Sequence, residues 1–305
     1  MILSPTREDT FSNPRRYSFL LKDAMILGKM FEGEGDNKKS KEKRLFCCHY
    51  QNIYVLLQKQ KTRGHHQHRI IWERALPGLR CKDKNKNGIY QSFFEKVFST
   101  DRMKKYFLLY PEDEVKAIKH YQCNIMLSEA MYPCLSVFEV ELRNSVVREL
   151  VAFAKREDWY VVFSTTPGLM ELNKYISTAK KQIAARGEDI TTAKITAELT
   201  WGFWTSLFNR NYERILWKDL RRAFPFVKKA NRQRKIVASF LNKFRRLRNR
   251  IDHNEAICWN LDEVEMIHEE MMNVMGWMNK EVPTWLSQFD RFSSVSLDIR
   301  KIMNW

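Results

Sequence analysis

Leu135, Phe138, Leu142, Val146, Leu150 and Phe153 recur at steps of three and four residues, the spacing that collects side chains on one face of an α-helix. Val237, Phe240, Leu241, Phe244, Leu247 and Ile251 mark a second such face, and Val264, Ile267, Met271, Val274 and Met278 a third. Boundary signals frame these stripes. Pro111 followed by Glu112, Asp113 and Glu114 predicts a helix start, because acidic side chains complement the N-terminal dipole. Gly187 predicts the end of a helix running from about Met170 to Arg186. Asn260-Leu261-Asp262-Glu263 has the form of a capping box ahead of the third stripe. Trp201, Phe203, Trp204, Leu207 and Phe208 are bulky enough to belong to a core. The reading is an all-α fold over residues 103–305.

Residues 1–102 have a different texture. Helical periodicity is not sustained there, and stretches such as Gly33–Lys39 and Lys82–Gly88 combine charges with turn formers. Such composition predicts loops or disorder. Only Ile53–Leu57 and Phe93–Phe98 look able to pack. The expectation is therefore a poorly structured basic extension ahead of a helical domain, with the functional polypeptide beginning at or near Met103 and residues 1–102 not part of the native protein. Within the extension, Cys47-Cys48-His49, His65-His66, His68 and Cys81 gather soft donors. Their spacing lacks the paired C-x(2–4)-C units of a structural zinc site, so no metal and no other cofactor is assigned.

Charge narrows the partners. The 305-residue chain carries 53 Lys and Arg against 36 Asp and Glu, a net +17. Residues 1–102 hold 21 against 11 and the remainder 32 against 25, so both parts are basic. A surplus of this size favours polyanions. No run of about 18 apolar residues is present, which excludes a spanning helix as a reading. The opening MILSPTREDT has no apolar core of a signal peptide. Six cysteines without regular spacing read as reduced thiols of a cytoplasmic protein.

The chemistry concentrates in Leu247–Ile257, LRNRIDHNEAI, at the end of the second stripe. Arginine grips phosphate with a planar fork of donors, and histidine exchanges a proton near neutral pH. On an ideal helix Asn249 and His253 share a face, with Arg245 one turn earlier. Arg248 lies five positions before His253, about 140° away around the axis. Convergence requires that the helix loosen near Asp252, that the arginine reach around, or that a second chain supply the other group. Asp252 and Asn254 are mediocre helix formers, which predicts an end or kink at this point. The plainer alternative is a solvated basic face made of Arg245, Arg246, Arg248 and Arg250 beside an ordinary surface histidine.

Arg248-Asn249-x-x-x-His253 resembles the hallmark of the Abi-like family, bacterial abortive-infection proteins related to the HEPN superfamily. Two further segments agree in order. Leu135–Asn144, ending in Leu-Arg-Asn, is similar to the family's early helix, and Glu198–Trp204, with Leu207-Phe208 after it, is similar to its Gly-Phe-Trp segment. The resemblance spans about 103–290. Glu255 fits a frequent His-His-Glu-Pro continuation, but Asn254 and Ala256 replace the second histidine and the proline. The resemblance implies a HEPN-like helical bundle, usually dimeric, that cleaves RNA without metal in phage defence or a toxin system. It implies catalytic roles for Arg248, Asn249 and His253, RNA contacts from Arg245, Arg246 and Arg250, and supporting roles for Glu141, Arg143, Asn144 and Glu255. An antitoxin protein or RNA inhibitor is a partner consistent with it.

The corresponding reaction is attack of a ribose 2′-hydroxyl on the adjacent phosphate, giving a 2′,3′-cyclic phosphate and a 5′-hydroxyl. His253 would move the proton, Arg248 would stabilise the phosphorane, and Asn249 would orient one of them. One chain offers few histidines for both proton transfers, since His120 and His268 fall on other predicted helices without a motif. A two-fold homodimer would bring two copies of His253 together. The competing reading is a non-catalytic RNA-binding or antitoxin-like module in which the same helix merely holds phosphate. DNA binding has only charge in its favour. The methionines around Met266, Met271, Met272, Met275 and Met278 suit a core or a dimer face better than a cofactor.

Overall fold

A computed structural model describes residues 89–305, which belong to one unit bounded at 84–305. The expectations for Gly33–Lys39, Ile53–Leu57, Lys82–Gly88 and the Cys- and His-rich stretches fall outside the described residues. Those described are helical, with no strand among them. In chain order the helices are α1 (Ile89–Phe98), α2 (Thr100–Leu109), α3 (Glu114–Ala154), α4 (Val162–Thr165), α5 (Asn173–Ala185), α6 (Thr192–Glu198), α7 (Trp201–Ser206), α8 (Glu213–Leu220), α9 (Arg234–Asp252), α10 (Leu261–Met278), α11 (Glu281–Leu286) and α12 (Phe292–Met303). Short 3₁₀ turns link several of them.

The 41-residue α3 is the spine. At about 1.5 Å per residue it runs roughly 60 Å, and α7, α8, α10, α11 and α12 pack along it. Its stripe behaves as the periodicity predicts. Leu135, Phe138, Leu142, Val146 and Leu150 are buried, and Phe153 is partly so. The faces of α9 and α10 close over the same core. Phe138 stacks on Trp201 at 5.6 Å and meets Phe244 edge-on at 5.1 Å. Burial of each such ring removes apolar surface worth about 1.5–3 kcal/mol. Of the methionines on α10, Met271, Met275 and Met278 are core and Met266 is exposed.

Helix ends follow local chemistry. The start of α3 is set by Asp113, whose carboxylate accepts the Lys116 amide at 2.8 Å, while Pro111 sits in the preceding turn. Asn260 caps α10 by accepting the Glu263 amide at 3.2 Å, and Glu263 answers by accepting from the Asn260 side-chain amide at 3.3 Å. The helix expected from Met170 is split, with a 3₁₀ turn over Met170–Leu172 and α5 from Asn173. Gly187, at φ 69°, does end it.

The expected boundary at Met103 does not coincide with a structural one. Met103 lies inside α2 and is fully buried. It joins Tyr106, Phe107, Ala117, Ile118 and Tyr121 in a second small core, against which Phe94 and Phe98 of α1 pack. Residues 89–102 are therefore part of the helical domain. Periodicity missed this because α1 and α2 are only ten residues each, too few turns for a stripe to stand out from the charged sequence around it.

Candidate nucleic-acid site at the end of α9

The basic helix stops at Asp252 for a structural reason. The His253 amide donates to the Asn249 carbonyl at 3.0 Å, the Asn254 amide to Ile251 at 2.9 Å, and the Glu255 amide to Arg250 at 2.7 Å. Asn254 is left-handed, at φ 53°. This is a Schellman termination, in which a residue tolerant of positive φ reverses the chain and satisfies the last carbonyls. Gly187 ends α5 in the same way, with its amide on Ala184 and that of Glu188 on Ile183. Asn254 thus has a backbone role where the resembled motif has a second histidine.

The chain then dives inward. Ala256 packs on the small core, while Ile257 and Cys258 are buried in the large one. Asn124 of α3, itself buried, holds this turn. Its side-chain oxygen accepts the Ile257 amide at 2.6 Å and the Cys258 amide at 3.1 Å, and its nitrogen donates to the Glu255 carbonyl at 3.4 Å. Arg250 donates to the Ala256 carbonyl and Arg102 to the Asn254 carbonyl. Beneath, His120 contacts the Cys258 carbonyl at 3.4 Å and the Tyr110 hydroxyl at 3.4 Å. Burial pushes the Cys123 and Cys258 thiols up to about 12, so both are neutral packing groups.

On this scaffold Asn249 and His253 are both exposed, one helical turn apart. Among the described residues the His253 imidazole has no hydrogen-bond partner. Arg248 does not reach it. Its guanidinium instead pairs with Asp252 at 2.5 Å. That pairing draws Arg248 toward the last turn, beside His253 in the chain but around the axis from it. Arg246 is exposed, whereas Arg245 is half-buried and donates to Asn242 at 3.3 Å. Arg250 is committed to the turn, with Glu255 3.8 Å from its Nε. The reversal at Asn254 is what brings the Ala256 carbonyl into its reach.

Glu141, Arg143 and Asn144 are not brought to this end. The Phe138–Phe244 contact and the bonds of Asn124 to Ile257 and Cys258 set α3 and α9 antiparallel. In that register Asn144 lies roughly 9 Å beyond Phe138 and His253 roughly 14 Å the other way. Glu141 accepts from Ser145 at 3.1 Å instead. Sequence reasoning overlooked Asn124 and Arg102. An asparagine in a long helix and an arginine ahead of it carry no signal until the fold places them against the turn.

Acidification should loosen this turn. Burial pushes the His120 pKa down, with the Cys258 carbonyl only partly opposing it. The unfolded chain then binds a proton that the folded chain refuses, so stability is full above the ordinary histidine pKa of about 6.5 and falls as pH drops below it. Urea midpoints between pH 7.5 and 5.5 should decline, and His120→Gln should flatten that slope. An unchanged slope in the variant would place the dependence elsewhere.

No group of three or more His, Cys, Asp or Glu stands ready to hold a metal among the described residues. No helix there is long and apolar enough to cross a membrane. No family model, curated protein or solved structure matches the chain.

Proposed function

We propose that the protein is a metal-independent endoribonuclease of the abortive-infection or toxin type, acting as a homodimer on RNA in phage defence. The observation that carries the reading is the exposed pair Asn249 and His253 on one face at the end of a basic helix. The imidazole takes the 2′-hydroxyl proton or delivers one to the leaving 5′-oxygen. Arg248, exchanging Asp252 for phosphate, stabilises the charge that builds on phosphorus. The second proton transfer falls to the partner's copy of the same histidine.

Purified full-length protein incubated with total RNA in EDTA should leave 2′,3′-cyclic phosphate and 5′-hydroxyl ends. Ends bearing a 5′-phosphate, or no cutting of any RNA, would reject the mechanism. The pairing of Arg248 with Asp252 rather than with His253 favours the non-catalytic alternative, an RNA-binding or antitoxin-like module. In that case binding persists in His253→Ala and nothing is cut.

Asp252 also makes a separate prediction. As a carboxylate it competes with phosphate for Arg248. Asp252→Asn should tighten RNA binding, since an exposed pair of this kind contributes only about 0–1 kcal/mol to the fold. Filter binding across a salt series, together with a urea melt, checks both halves. Weaker RNA binding would mean that Asp252 positions Arg248 rather than occupying it.

A further inference from the structure

An aromatic cluster surrounds His120, which contacts the Cys258 carbonyl in the segment that follows α9. The Tyr106 and Tyr110 rings lie 5.2 and 5.8 Å from the imidazole. The Trp259 and Trp305 rings lie 4.6 and 5.0 Å from it, both edge-on. Tyr106 is buried, but the two indoles are 37% and 45% exposed. Both contact one imidazole, so their rings cannot be farther apart than those two distances together. Trp259 is packed, lying against Tyr106 at 4.6 Å with planes 31° apart, and the backbone of Trp305 is tied to α12 by its amide on the Arg300 carbonyl at 3.0 Å.

The setting is cationic. Lys116 sits 5.0 Å above the Tyr110 ring, Arg102 reaches the turn at Asn254, and Lys104 and Lys105 are exposed on α2. Of the carboxylates flanking Trp259 in the chain, Glu255 pairs with Arg250 and Asp262 with Arg300, while Glu263 meets the Asn260 side chain at the start of α10. Aromatic faces alone would also attract a quaternary ammonium, but these cations repel one. Partly exposed indoles beside basic side chains are what unpaired bases of a polyanionic strand seek, because stacking is indifferent to base identity while lysine and arginine track the phosphates.

We infer that Trp259 and Trp305 form a base-stacking subsite for single-stranded RNA, feeding the strand past His253. The inference rests on the ribonuclease reading for its substrate, and it names that substrate as unpaired RNA.

The test uses full-length protein carrying His253→Ala, so that bound RNA stays intact, and reads the anisotropy of a labelled single-stranded oligoribonucleotide. Trp259→Ala and Trp305→Ala should each weaken binding about ten-fold or more, while affinity for a blunt duplex of the same sequence stays unchanged. Trp259→Phe should restore most of the loss and, with circular dichroism, guards against misfolding. Should Trp259→Ala not fold, Trp305→Ala and Trp259→Phe decide. Equal single-strand affinity in the alanine variants would overturn the subsite, as would displacement of the oligonucleotide by tetramethylammonium. A fall from dimer to monomer mass with RNA affinity intact would assign the indoles to a second copy of the chain. Strong stacking-dependent binding by a protein that never cuts RNA would leave the subsite standing and remove only the ribonuclease reading.

Discussion

His253→Ala is expected to lower RNA cleavage roughly 10²–10⁴-fold, the range that one positioned proton-transfer group supplies, with no loss of fold. The separation of the two effects comes from where the residue sits. His253 is exposed and lacks a hydrogen-bond partner among the described residues. Its amide, which does help end α9 by donating to Asn249, is kept by alanine. A surface change of this kind stays within about 0.5 kcal/mol. Arg248→Ala should cost about 3–4 kcal/mol of transition-state stabilisation. Arg248→Lys should recover little of it, since a point charge does not reproduce the fork. Gel assays of a defined RNA, run beside thermal melts, read both quantities. If His253→Ala cuts at the wild-type rate, the imidazole is a bystander and the alternative of a phosphate-holding module gains.

Asn124→Ala is expected to produce the opposite profile, a large loss of stability first and a loss of activity that follows from it. The variant strips the acceptor from two buried amides, those of Ile257 and Cys258. A buried donor left unpaired costs about 1–3 kcal/mol, so about 2–6 kcal/mol is expected for the two. That is a large share of the 5–15 kcal/mol that holds a typical domain together. The local consequence is release of the turn that sets the exit angle after Asn254, and with it the pose of His253. Asn124→Asp keeps both acceptor bonds, so it should lose less than alanine despite its charge. Urea unfolding of the three proteins is the measurement. A loss below about 1 kcal/mol for alanine would show that water replaces the amide and that the turn is held by its apolar contacts.

How much of this could be read from the amino acids varies by element. The α3, α9 and α10 stripes were legible because each repeats over several turns. Asp113, Asn260 and Gly187 cap or end helices through bonds to their own neighbours, so local sequence suffices to identify them. The end of α9 at Asp252 was expected from weak helix formers, and its cause turned out to be the left-handed Asn254. Of α1 only Phe93–Phe98 stood out as able to pack, α2 was passed over, and the boundary was set at Met103, since ten residues offer too few repeats against a charged background.

The site divides in the same manner. That Asn249 and His253 share a face follows from four residues of spacing, and the structure leaves both open. The fate of the arginines did not follow. Arg248 turned to Asp252 and Arg250 to the Ala256 carbonyl, because each guanidinium takes the nearest oxygen once the backbone path is set. The supporting roles expected of Glu141, Arg143 and Asn144 depended on helix register, which pairing of Phe138 with Phe244 decides.

By itself, then, the order of residues determined the all-helical class, the main buried faces, the caps and the shared face of Asn249 and His253, all of which depend on contacts within a few positions. Tertiary structure alone decided that Asn124, Arg102 and His120 support the turn after α9, and that Trp259 and Trp305 meet across one imidazole. Those partners are separated by more than a hundred positions in most cases. Only burial of the two cores against α3 makes such distant groups neighbours, and no local spacing encodes that proximity.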